Sequence, residues 1–189
     1  MIFWVALGVS YLASMLFGAF NVVLGVLVVV GQMLFVWLVL GRIFSSVLPW
    51  KFRSILRTYG LRMAFGVALV ATLGSLTYSE IVGLTPCKYC YWQRIFMFPQ
   101  AIMLGIASWK QHTMIRVYGI TLSVIGAGIA IYHYMMQHAV VPEGDCGAVG
   151  QNAHGCGSIF VDVFGYITIP MMALTAFLLI IMLLLYQRD

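Results

Sequence analysis

Charge is what this sequence has least of. Only 8% of its 189 residues are charged, against about 25% in a soluble domain, and none precedes Arg42. With a mean hydropathy of +1.03, such a chain cannot cover its surface in water, so the bilayer is its expected solvent. Segments of about ten residues with alternating polarity are missing, which argues against a transmembrane barrel. The first apolar stretch lacks a basic leader and far exceeds the ~7–15 residues of a signal core, so it is expected to be retained. No nucleotide-binding fingerprint occurs. Despite a net charge of +5, the basic residues do not cluster on a water-facing domain, and no nucleic-acid partner is expected.

What the sequence does have is long apolar runs, each near the ~20 residues that cross hydrocarbon as helix. Six spans are the simplest partition: Met1–Gly18, Val22–Gly41, Leu61–Ser79, Tyr91–Ser108, Val117–Gln137 and Gly165–Tyr186. The fold expected is an all-α integral membrane protein. A four-helix transmembrane core occupies residues 55–189, and about two additional N-terminal spans and a basic loop occupy residues 1–54. The first pair is separated only by Gly18-Ala19-Phe20-Asn21, and one long tilted helix there would leave the later topology unchanged.

Orientation follows from the excess of Lys and Arg in cytoplasmic loops. Arg42, Lys51, Arg53, Arg57, Arg62, Lys110, Arg116 and Arg188 fall on one side of this partition, eight of the ten basic residues. Glu80, Glu143, Asp145 and Asp162 fall on the other. The C-terminus is then cytoplasmic, and all four cysteines lie on the external face of a multi-pass plasma-membrane protein.

Those cysteines form two pairs by position. Cys87 and Cys90 make a C-x-x-C at the start of a spanning helix; Cys146 and Cys156 flank a glycine-rich segment in the longest polar loop. External compartments let disulfides persist. A thiol at a helix N-terminus meets unpaired N–H groups and the positive end of the dipole, which favour thiolate. Cys90 has that position, with Lys88 nearby and Arg94 one turn on along the same face. The first pair is therefore read as reactive, and the second as an accessible pair on a mobile loop. Two structural disulfides, or a zinc site with the C-x-x-C as its first half, are the alternatives at this point.

Arg94 carries forked donors suited to a carbonyl oxygen, at a depth where ionisable groups usually have a partner or a function. Pro99, further along that helix, would free a backbone carbonyl and open a lateral slot. His133 and Gln137, at i and i+4, are placed to face the same ligand. Gly126 and Gly128 read as close helix contacts.

The run CKYCYWQRIFMFPQ, the His133-x-x-x-Gln137 pair, the loop cysteines and the segment GYITIPMMAL together resemble the DsbB/BdbC family of membrane thiol-disulfide oxidoreductases, over roughly Tyr59 to Tyr186. The resemblance implies that a reduced extracytoplasmic thioredoxin-like (DsbA-type) oxidase attacks the loop disulfide at Cys146, with Cys156 its companion. Electrons then reach Cys87–Cys90 and leave to the membrane quinone pool, ubiquinone or menaquinone. Cys90 would contact the quinone and Arg94 polarise it, with His133 and Gln137 nearby; no metal is implied. A DsbA-type oxidant has a potential near about −120 mV, so its reoxidation needs a still stronger acceptor, and a quinone is one. The motif reads Tyr91-Trp92 where many relatives of the Gram-positive type read Trp-Tyr. Residues Met1 to about Ser54 have no counterpart in the minimal core and are expected to be dispensable for chemistry. A vitamin-K-epoxide-reductase-like enzyme would carry its C-x-x-C late and its loop pair early, the reverse of this order.

Overall fold

The computed structural model describes residues 2–44, 48–110, 114–142 and 155–187, with side chains from Met15 onward. Glu143, Asp145, Cys146 and Arg188 lie outside the described residues. Among the described residues, five helices carry the fold: α1 (Ile2–Ile43), α2 (Trp50–Leu76), α3 (Lys88–Lys110), α4 (Ile115–Gln137) and α5 (Ile169–Tyr186). A π-helical turn, Thr77–Ile81, continues α2. Helices α2 to α5 close a ring in chain order, each packed on the next and α5 back on α2, while α1 lies outside that ring against α5.

Six spans are therefore not what the chain forms. The expected break at Gly18–Asn21 is absent, and α1 runs through it as one helix. A single glycine costs a helix only about 1 kcal/mol, and no proline stands there to remove a backbone donor. Asn21, which reads as a turn former, instead accepts a hydrogen bond from the Tyr78 hydroxyl at 2.8 Å. Among the described residues, four helical stretches are long and apolar enough to cross a membrane: Met15–Ile43, Trp50–Ile81, Ile115–Gln137 and Ile169–Tyr186. Helix α3 has comparable length but holds Lys88, Gln93, Arg94, Gln100 and Lys110, and it falls short of them in apolar composition. The basic segment expected as a loop is partly helical too, since Lys51, Arg53 and Arg57 lie in the first turns of α2.

Small residues and a few polar clasps set the packing. Tyr186 donates to the Leu38 carbonyl at 2.7 Å, and Gln32 donates to Thr175 at 3.3 Å while accepting from Tyr166 at 3.0 Å. These bonds fix α1 on α5 where apolar surface alone gives little directional preference in lipid. Gly25 admits Val163, and a Cβ there would stand 2.5 Å from its Cγ1. Before α5 the chain reverses through Phe164 and Gly165, at φ 58° and 79°, in a tight turn clasped by paired hydrogen bonds between Val163 and Ile167. Gly165 thus serves this turn and is not the start of the last helix.

Of the two glycines expected at close helix contacts, Gly126 is one and Gly128 is not. A Cβ on Gly126 would collide with the ring of Phe177, which is fully buried, whereas one on Gly128 meets nothing within 4 Å. Gly126→Ala is expected to cost about 1–3 kcal/mol through overpacking. Gly128→Ala is expected to be neutral or to gain up to about 1 kcal/mol of helix propensity. Unfolding in mixed detergent, followed by helical circular dichroism, measures both; equal effects would contradict this packing.

Candidate redox site

Helix α3 begins at Lys88, so Cys87 occupies the N-cap position and Cys90 the third helical residue. An N-cap side chain accepts from the N–H of that third residue, and here the Cys90 N–H donates to the Cys87 sulfur at 3.4 Å. The two sulfurs are 2.9 Å apart and share a thiol hydrogen bond; both cysteines are free. The helix terminus thus serves Cys87, where the sequence suggested Cys90. The Cys90 thiol and the imidazole of His133 lower the Cys87 pKa to about 4, against the opposing effect of burial.

His133 reaches this cap from α4. Its Nε2 lies 3.5 Å from the Cys87 sulfur and 3.2 Å from the carbonyl oxygen of Cys156. Its Nδ1 faces the amide nitrogen of Gln93 at 3.3 Å. That nitrogen is only a donor, so Nδ1 must accept and the ring proton sits on Nε2, between the sulfur and the carbonyl. The histidine is 1% exposed. Cys156 is disulfide-bonded, and it packs with Cys87 and Met136 in one buried cluster, with Tyr89 and Cys90 at its edge.

Arg94 sits one turn below Cys90. Its Nε donates to the Ser75 hydroxyl and one terminal nitrogen to the Ser75 carbonyl, both at 3.0 Å. These bonds use two of the five guanidinium donors and pin the group against α2. Its carbon lies 5.8 Å from the ring centres of both Tyr91 and Phe98, within cation–π range. Gln137 donates from Nε2 to the Ser158 carbonyl at 3.3 Å, which leaves its buried Oε1 without a hydrogen-bond partner.

The described cysteines line one cavity of about 510 Å³ together with Ser75, Gln93, Arg94, His133 and Gln137. Cys87, Cys90, Arg94, His133, Gln137 and Cys156 lie at one end, and the walls beyond are almost wholly apolar. Such a volume suits a small-molecule ligand. A quinone headgroup fits that end chemically, because the guanidinium N–H groups that Ser75 leaves unused suit its carbonyl oxygens. Pro99 is exposed and does not line the cavity, so it opens no slot here.

The structure therefore brings together six of the seven residues singled out from sequence; Cys146, the seventh, lies outside the described residues. Ser75 and the role of Gln93 were not anticipated. A serine within α2 carries no local signal. Gln93 could have been found, because it lies four residues from Tyr89 and three from Cys90 on the same helical face. The metal reading also changes form. Cys87, Cys90 and His133 present three donor atoms within 4.8 Å of one another, so a soft cation would compete for the very groups that hold the thiolate.

A family model described as "Disulfide bond formation protein DsbB" matches residues 57–187. Among individual proteins, the chain is 43% identical over 115 residues to the disulfide bond formation protein C of Bacillus subtilis, covering 61% of this chain and 82% of that one. It is 40% identical over 122 residues to a probable disulfide formation protein C 1 of Bacillus anthracis, covering 65% and 86%. A probable disulfide formation protein of Chlamydia pneumoniae is 36% identical over 137 residues, covering 72% and 96%. No solved structure gives a significant match.

Alkylation of the reduced pair tests the cap. With its pKa near 4, Cys87 is mostly thiolate above about pH 5, and its reactivity should be flat from there to pH 8, then fall as the medium is acidified through the pKa. Removing a donor raises the pKa, so the fall should move to higher pH in both Cys90→Ala and His133→Ala, further in Cys90→Ala. Iodoacetamide rates against pH, read by mass spectrometry, report this; an unmoved profile in both variants would overturn it.

Proposed function

The chain belongs to the DsbB family of disulfide bond formation proteins, and from that premise we propose that it reoxidises a reduced thioredoxin-like (DsbA-type) oxidase and delivers the electrons to a membrane quinone, ubiquinone or menaquinone. Family and apolar helices make it a multi-pass membrane oxidoreductase of disulfide formation; partner, acceptor and orientation are what the proposal adds. In this reading both cysteine pairs face the extracytoplasmic side and the C-terminus the cytoplasm, as the basic residues indicate.

The observation that carries the proposal is that Cys87 faces two ways: it shares a buried cluster and the His133 Nε2 with Cys156, and shares with Cys90 the polar end of the apolar cavity. A partner thiolate attacks Cys146 of a Cys146–Cys156 disulfide, forms a mixed disulfide and releases the Cys156 thiolate. Cys156 attacks Cys87 of the oxidised first pair, and Cys90 leaves as thiolate towards the cavity. The partner's second thiol closes its own disulfide and frees Cys146. Cys146 then attacks Cys156, restoring the loop disulfide and releasing Cys87. Two electrons have now moved from the partner to Cys87 and Cys90. A disulfide at Cys156 beside free Cys87 and Cys90 matches that stage.

A quinone supplies the two-electron, two-proton acceptor that lets Cys87 and Cys90 close again as a disulfide. Arg94 orients the acceptor's carbonyl through the N–H groups that Ser75 leaves unused. His133, by donating from Nε2, steadies negative charge on Cys87 while that sulfur is a leaving group, and a lower-pKa thiol leaves faster. Gln93 holds the tautomer that makes this donation possible.

Protein in nanodiscs, a reduced DsbA-type oxidase and a quinone whose absorbance is followed provide the test. Turnover should require both the partner and Cys90. Cys146→Ser should abolish partner oxidation while Cys87–Cys90 still exchanges electrons with quinone. Arg94→Met, losing a charged donor, should raise the quinone KM at least about tenfold. Normal partner turnover by Cys146→Ser would sink the order of the relay, and unchanged quinone kinetics in Arg94→Met would remove its role.

A further inference from the structure

Helix α1 lies outside the part of the chain matched by the family model, which begins at residue 57, yet it supplies a wall of the redox cavity. Leu24, Leu27, Val28 and Leu34 line it together with residues of α2, α3 and α5. Along α5 the lining runs from Ile169 to Leu183, about 21 Å at 1.5 Å per residue. On α1 it runs from Leu24 to Leu34, about 15 Å. A single ring held between Cys90 and Arg94 occupies only the upper end of such a channel.

The rest of the channel asks for an apolar chain. Its few polar wall groups are already served: Ser75 by Arg94, and Thr175 by Gln32 and by the Met171 carbonyl. An occupant there finds dispersion contacts and no free hydrogen-bonding group, the surroundings that suit hydrocarbon. The cysteine end is the reverse, with the Arg94 donors that Ser75 leaves unused. One molecule with a polar ring and a long apolar tail matches both halves at once. The anchoring of α1 has the same sense, since Gln32 and Tyr186 hold it at the level of this channel and below.

We propose that α1 is a tail-binding helix: its Leu24–Leu34 face holds the isoprenoid chain of the quinone whose ring sits at Cys90 and Arg94. This rests on the quinone reading above and adds a subsite to it. In this arrangement α1 is dispensable for chemistry at the ring and required for efficient use of a long-tailed acceptor.

Two readouts on the full-length protein in nanodiscs test the subsite. A benzoquinone carrying a long isoprenoid tail with a terminal photoreactive diazirine should label α1 within Leu24–Leu34. Unlabelled long-tailed quinone should compete that labelling away, and excess phospholipid or a tail-less ring should not. Separately, Leu27→Trp, which fills the channel from a half-exposed position, should raise KM for the long-tailed quinone about tenfold and leave kinetics with a tail-less quinone within about twofold. Met33→Trp, 70% exposed on α1 and away from the cavity, should change neither.

Label on α1 that only phospholipid displaces would make the occupant an acyl chain and overturn the proposal. Equal effects of Leu27→Trp on both quinones, or none on either, would overturn it too. If the unaltered protein reduces neither quinone, the reading of the whole site falls, and the competed labelling alone decides the tail subsite.

Discussion

The imidazole of His133 is the joint on which the site depends. Its Nε2 is shared by the Cys87 sulfur and the Cys156 carbonyl, so one proton position connects the N-cap of α3 with the loop that ends at α5. Remove the imidazole and Cys87 loses a donor while the loop loses a clamp. The position of α4 is set in turn by Gly126, whose missing side chain lets the Phe177 ring approach. Backbone packing, loop placement and thiol electrostatics therefore meet in one side chain. It is buried, as a group donating to a sulfur must be if water is not to take its place.

A polarity gradient runs away from that joint. At the cysteine end the donors are charged or amide; a few turns along, the walls are aliphatic and the remaining polar groups are bonded to one another. Ser75 marks the boundary, because it takes up part of a guanidinium that would otherwise be costly so close to hydrocarbon. Such a gradient both orients an amphipathic ligand and keeps water from the sulfur chemistry.

Much of this was legible because it is local. Helical spacing places Arg94 four residues from Cys90, and His133 four from Gln137, so shared faces could be read directly. The helix start was legible too, but not which cysteine it serves: N-cap geometry favours Cys87 once the first helical residue is Lys88. What stayed hidden depends on distant neighbours. Ser75 looks like any serine in a helix. Gly18 and Asn21 look like a turn until Tyr78 satisfies the asparagine, and with that the two expected N-terminal spans become one helix. Gly126 and Gly128 are indistinguishable in sequence and differ only in what stands opposite.

The claim at the centre is that Cys87 and Cys156 are redox neighbours. The direct measurement uses the Cys90→Ala/Cys146→Ala variant, which leaves only those two sulfurs, oxidised mildly in native membranes and digested for mass spectrometry. A single intramolecular Cys87–Cys156 disulfide is expected in most molecules, diminished when His133 is also replaced. Recovery of both cysteines as free, separately alkylated thiols would contradict it.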